Sequence, residues 1–160
     1  MSTSVAARPL AESLRAIYSE AVRSARRLSQ PVVASWTLAA PDDLDPLQVF
    51  ALGAGRHQYR AFWEQAEADT AFAGLGAALA IQTDGSARFQ DASALVEHAR
   101  VTAIVDGDAL DGAVTGPVFL GGFAFDPARP AEPHWRQYPA GLLMLPRVLW
   151  ARRGGVATVT

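Results

Sequence analysis

Val118-Phe119-Leu120-Gly121-Gly122-Phe123-Ala124-Phe125 is an almost wholly apolar run, set between Gly116-Pro117 and Asp126-Pro127. A continuous apolar run bounded by turn residues reads as a strand buried on both faces. Phe119, Phe123 and Phe125 share one parity and therefore one face, while Gly121 and Gly122 let neighbouring backbone approach closely. If Phe125 is fully buried there, Phe125→Ala should lose about 3–5 kcal/mol of stability.

Towards the C-terminus a proline-rich stretch to Pro139 reads as a surface loop. Leu142 to Arg152, the turn Gly154-Gly155, and Val156 to Thr160 then read as a hairpin. No element follows its second strand, so the expectation is a sheet cut in the middle. Its edge would be exposed and open to self-association.

Towards the N-terminus, Asp84-Gly85 closes a second predicted pair of strands. One runs from His57 to Glu64 and the other from Thr70 to Ile81, antiparallel, with their connection near Ala66 to Asp69. Helices are expected over Pro9–Leu28, where Leu10, Leu14, Ile17, Ala21 and Leu28 recur at helical spacing, and over Ser86–Thr102. A short helix from Pro46 to Leu52 would be capped by Asp45, and Val32 to Leu38 reads as a further strand. The fold class is therefore α/β (α+β): a largely antiparallel twisted sheet with flanking helices.

Composition narrows the function. Half of the 160 residues are hydrophobic and 19% are charged, which suits one folded domain rather than a disordered chain. A net charge of −2 with scattered cations gives no broad footprint for nucleic acid. Arg23, Arg26 and Arg27 fit a solvated helix face. Cysteine is absent, which excludes disulfides and thiolate chemistry, and lysine is absent, which excludes a Schiff-base or general-base lysine within these residues. No apolar run reaches bilayer length and no secretion signal is legible, so a cytoplasmic protein is expected.

The usual chemical motifs fail in turn. His57, His98 and His134 are far apart and lack carboxylates at ligand spacing, so they read as ordinary histidines. Gly74-Leu75-Gly76-Ala77-Ala78 starts like a dinucleotide fingerprint, but Leu79 stands where a third small residue belongs. Glycines serving close packing or a bulge explain it better. Asp42, Asp43 and Asp45 lack the remaining calcium ligands and read as a solvated turn. Trp36, Trp63, Trp135 and Trp150 are spread over several elements, as core and rim residues are. Residue chemistry alone yields no catalytic, cofactor-binding or metal-ligating residue.

Three stretches, in order, resemble the N-terminal part of chorismate-using enzymes, above all isochorismate synthases. They are Arg60-Ala61-Phe62-Trp63-Glu64 with Ala73-Gly74-Leu75-Gly76-Ala77-Ala78, then Gly116 to Asp126, then Leu145-Pro146-Arg147. The resemblance spans about Trp36 to Thr160 and implies the sandwich fold of that family. Residues 1–160 would be an N-terminal scaffold portion whose partner is the enzyme's own C-terminal chorismate-binding portion. It further implies an enzyme that converts chorismate to isochorismate, for menaquinone, siderophore or salicylate synthesis. Mg2+ would be bound by glutamates, a lysine would activate water and a glutamate would protonate the departing hydroxyl, none of them in these 160 residues. The fragment alone would be inactive. Two alternatives stay open: another chorismate-using synthase, for anthranilate or aminodeoxychorismate, and a freestanding small-molecule-binding or interaction module. Leu10-Ala11-Glu12-Ser13 departs in sequence and context from the tryptophan-binding motif of anthranilate synthases.

Overall fold

The computed structural model describes residues 10–41, 43–108, 110–126, 134 and 138–160. Three helices stand out: α1 (Leu10–Leu28), α2 (Pro46–Leu52) and α3 (Arg88–Thr102). Helix α2 has the expected bounds for the expected reason. Asp45 accepts a hydrogen bond from the Leu47 amide at 2.9 Å, and Pro46 occupies the first turn, where a missing donor costs nothing. Helix α1 ends as Ser29 enters the left-handed region at φ 54° and Gln30 N–H returns to the Ala25 carbonyl. The expected role of Pro9 in the first turn of α1, and the expectations for Asp42, Trp135 and Pro127, lie outside the described residues, as does most of the proline-rich loop.

Among the described residues there are nine strands: β1 (Ala34–Ala39), β2 (Arg60–Gln65), β3 (Thr70–Leu75), β4 (Leu79–Thr83), β5 (Ile104–Gly107), β6 (Leu120–Phe123), β7 (Gly141–Leu145), β8 (Val148–Arg153) and β9 (Val156–Val159). Six form a sheet in the order β2-β3-β8-β9-β1-β5, and three form a second sheet, β4-β7-β6. Every pairing is antiparallel except β1 with β5. The mixed, antiparallel-dominated class is as expected. So is the β2–β3 hairpin, whose connection is a 3₁₀ turn at Ala66–Ala68 ending with Asp69 at φ 42°.

Four expectations need correction. First, Thr70 to Ile81 is two strands in different sheets, and so is Leu142 to Arg152, because both break at one shared corner. Second, β9 is not an edge. It pairs with β8 on one side and β1 on the other, so the expected open edge of the final strand does not exist. The exposed edges of the large sheet belong to β2 and β5. Third, β5 was not foreseen. Its four residues, Ile-Val-Asp-Gly, are held by long-range pairing to β1, where Gly107 lies against the Thr37 backbone with no room for a Cβ.

The fourth correction concerns the apolar run itself. Only Leu120–Phe123 is strand, and it is an edge strand whose two glycines are exposed. Its last ladder bond is Ala124 N–H to the Ala140 carbonyl, and Phe125 beyond it is fully exposed. Hydrophobicity without a covering partner does not bury a strand.

The large sheet packs on both faces. On one, Ala71, Ala73, Trp150 and Ala157 meet Val49 and Phe50 of α2. On the other, Leu149 and Ala151 meet Phe72, with Val114, Val118 and Leu120 arriving from the β5–β6 connection and the start of β6. The alternation of strand side chains decides which residue serves which face. The stripe expected on α1 is only partly used: Ile17 and Ala21 are buried, whereas Leu10, Leu14 and Leu28 remain exposed.

Candidate functional site

The two sheets share one continuous ribbon. Strand β3 pairs with β8 down to Leu75↔Val148, and β4 pairs with β7 from Leu79↔Leu145. Three residues, Gly76-Ala77-Ala78, therefore face two, Pro146-Arg147. One additional residue on one strand is a bulge, which bends and twists the ribbon so that it passes from one sheet into the other.

Each residue of the corner has a physical reason. Gly76 is left-handed at φ 67°, and a Cβ there would stand 3.2 Å from His57 Nδ1 and 3.3 Å from Arg147 Cδ. Gly74 lies under Pro146, where a Cβ would come within 2.7 Å of the ring. Pro146 needs no donor at the break, and Arg147 clamps it: its amide donates to the Leu75 carbonyl at 3.1 Å and its Nε to the Ala77 carbonyl at 3.1 Å. Ala78 N–H to the Leu145 carbonyl resumes the ladder. The reading of Gly74-x-Gly76 as close packing plus a bulge is thus what the fold shows. Two of the three family-like stretches, Ala73–Ala78 and Leu145–Arg147, meet at this corner.

The third stretch is anchored differently. A Cβ on Gly121 would collide with the Leu142 backbone, whereas one on Gly122 would meet nothing within 4 Å. The close-approach role expected of both glycines belongs to Gly121 alone. Phe123 sits opposite Gly141, whose missing side chain leaves space for the ring, and packs on Phe89 at 4.6 Å between centroids. Arg88, only 4% exposed, donates to the carbonyls of Ala124 at 3.0 Å and Phe125 at 3.2 Å. Sequence reasoning passed over Arg88. The available signal was its place in the first turn of α3, where the helix dipole disfavours a cation unless another contact holds it.

Beside the corner lies a cleft of about 660 Å³. Its walls come from α1 (Leu14, Ile17), Val33 and β1 (Ala34 to Trp36), β4 (Leu79, Ile81) and α3 (Leu95, Ala99), together with Pro146 and Arg147 of the corner. The lining is mainly apolar and contains no carboxylate among the described residues. Its polar groups include Ser35, Thr160 and the His98–Gln30 pair, joined at 3.1 Å. Ser35 Oγ and Trp36 Nε1, on opposite faces of β1, are buried without a hydrogen-bond partner among the described residues.

The three histidines are not brought together as a site. His57 abuts the corner glycine and His98 faces the cleft. Among the described residues no three His, Asp or Glu side chains gather closely enough to hold a metal ion. Several carboxylates are engaged elsewhere: Asp45 caps α2 and Asp108 accepts from the Ala39 amide. Asp69 accepts from the Gly155 amide and lies 3.0 Å from Arg152 Nε, an ionic contact rather than an aligned hydrogen bond. The described residues therefore do not fit Mg2+. No helix among them is long and apolar enough to cross a membrane.

Comparison with known proteins agrees with the family-like stretches. The chain is 34% identical over 142 residues to the salicylate biosynthesis isochorismate synthase of Pseudomonas aeruginosa, covering 89% of this chain and 28% of that protein. It is 29% identical over 134 residues to isochorismate synthase MenF of Bacillus subtilis, covering 81% of this chain and again 28% of the relative. The solved menaquinone-specific isochorismate synthase MenF of Escherichia coli superposes with a TM-score of 0.47 at 23% identity, over 92% of this chain and 28% of that one. The chain thus spans just over a quarter of the length of these relatives. The model of the chorismate binding enzyme family matches residues 20–160, and the chain belongs to that family.

Proposed function

We propose that residues 1–160 are the N-terminal scaffold portion of an isochorismate synthase, an isomerase that converts chorismate to isochorismate. The observation that carries this reading is the 34% identity to the Pseudomonas aeruginosa enzyme over 89% of this chain. The corner supports it, because two stretches that resemble this family there serve one structural purpose. In this reading the scaffold contributes shape: it fixes the bend between the sheets and walls the cleft. The general base, the general acid and the glutamates that hold Mg2+ belong to a C-terminal chorismate-binding portion not contained in these residues. Bound there, Mg2+ would supply charge stabilisation to the substrate carboxylate, and none of residues 1–160 would hold it. The enzyme works in the cytoplasm.

The test is a chimera in which this chain replaces the matched segment of the Pseudomonas aeruginosa relative, assayed for isochorismate formation from chorismate with Mg2+. The expected result is product from the chimera and none from the 160-residue chain alone. A soluble, folded chimera without activity, or turnover by the isolated chain at an ordinary enzymatic rate, contradicts the reading.

A further inference from the structure

Of the two outer strands of the large sheet, β5 is blunted and β2 is not. Strand β5 has four residues and ends at Gly107, whose φ of 132° favours glycine. Strand β2 runs six residues, Arg60–Gln65, in unbroken register with β3, without proline, glycine or bulge. Native sheets rarely leave such an edge unguarded, because its free N–H and C=O groups template another strand. The direction of those groups follows from one hydrogen bond: the Tyr59 carbonyl accepts from Gly76 N–H, so Tyr59 faces β3. By alternation the backbones of Ala61 and Trp63 also face β3, and those of Arg60, Phe62 and Glu64 point outward. Among the described residues no strand pairs with them.

The side chains of this edge are symmetric about Phe62. Arg60 and Glu64, of opposite charge, flank it at equal distance, and Ala61 and Trp63, small and large, sit inside them. Neither charge is neutralised at close range within the chain. Arg60 lies over the Phe50 ring and donates Nη1 to the Phe50 carbonyl, but meets no carboxylate among the described residues. Glu64 is 3.8 Å from Arg152, which lies closer to Asp69. Trp63 stacks on Phe72 at 5.6 Å and is still 46% exposed.

We propose that β2 is a self-pairing edge, at which two copies of this chain join antiparallel about a two-fold axis through Phe62. In that register each Arg60 faces the Glu64 of the second copy, and each Ala61 leaves room for the opposite Trp63. The outward backbone groups of Arg60, Phe62 and Glu64 meet their counterparts as hydrogen-bonded pairs, as antiparallel pairing requires. A centre at Ala61 or at Trp63 sets a charge against Phe62 in either case, so the charges select one register. They also select the occupant: a sequence symmetric in size and opposite in charge is complementary to itself, and such an isologous contact closes at two copies. The inference concerns assembly and does not rest on the isochorismate synthase reading.

Because the chain contains no cysteine, one introduced thiol can form a disulfide only with the same position of another copy. In the proposed register the two Phe62 Cα atoms lie about 5.5 Å apart, within disulfide reach, and the two Glu64 Cα atoms about 15 Å apart, beyond it. Under mild oxidation F62C should therefore cross-link at least about tenfold faster than E64C, although Glu64 is the more exposed. The opposite order, which random collision gives, overturns the proposal. The solution mass is then read by sedimentation equilibrium for the parent, R60E, E64R and R60E/E64R. Each single reversal sets like charges opposite each other twice and should weaken the dimer at least about tenfold. The double reversal restores both pairs and with them the parent mass. A parent that is monomeric at every accessible concentration overturns the proposal, as does a dimer indifferent to R60E and E64R, or a folded double variant that stays monomeric. If the double variant does not fold, the order of F62C and E64C decides. The F62C cross-link is also sought in the chimera described above, with the remainder's own cysteines changed to serine. Its survival upholds the proposal in the longer protein, and its loss from a folded chimera shows the remainder on this edge and overturns it.

Discussion

Two glycine pairs separated by fewer than fifty residues behave in opposite ways. Gly74 and Gly76 are buried at the corner, where backbone, proline ring and arginine stem leave no space for side chains. Gly121 and Gly122 are exposed on an edge strand, and only Gly121 lies against neighbouring backbone. The glycine-phenylalanine run is the more hydrophobic of the two stretches, yet the alanine-glycine stretch is the more deeply buried. Burial here follows connectivity: the corner joins two sheets and is packed from several sides, whereas the edge strand has a neighbour on one side only.

That contrast can be broken by mutation. The largest effect is expected next to the corner. Trp150, 1% exposed and opposite Ala73 in the ladder, should lose about 3–5 kcal/mol on Trp150→Ala, read as a fall in thermal or denaturant midpoint. Gly74→Ala comes next, at about 1–3 kcal/mol, since its new methyl must displace the Pro146 ring and crowd Leu120 and Met144. A melt unchanged by Gly74→Ala would show that the corner yields freely. The smallest effects belong to the edge: Gly122→Ala and Phe125→Ala should each stay within about 0.5 kcal/mol of the parent, because one meets open space and the other leaves a fully exposed ring. A loss of several kcal/mol from Phe125→Ala would instead restore the buried-strand reading of Val118–Phe125.

Much of the local structure was legible. Asp45-Pro46 announces α2 because a carboxylate cap and a helix-compatible proline act within one turn. The β2–β3 hairpin is equally local, since its strands are neighbours in sequence. The break at Pro146 was not read, although proline in a strand is a known interruption. Residues Leu142–Arg152 looked like one strand because the bulge depends on Gly76-Ala77-Ala78 across the ribbon, some seventy residues earlier. Arg88 was missed for the same reason: its partners, the Ala124 and Phe125 carbonyls, are thirty-six and thirty-seven residues away. The cleft was illegible altogether, being assembled from α1, β1, β4 and α3 with no contiguous motif.

By itself the sequence determined the Asp45 cap of α2, the hairpins, the antiparallel character and the family resemblance, because each depends on residues close together along the chain or on a pattern of side-chain types. The tertiary structure alone decided that the last strand is interior, that the apolar run is an edge, and that a ribbon bends at Gly76 and Pro146. Those outcomes depend on which distant strand supplies the hydrogen bonds and which surface covers a face. A residue's own chemistry sets what its burial would be worth, but only its neighbours in space decide whether it is buried.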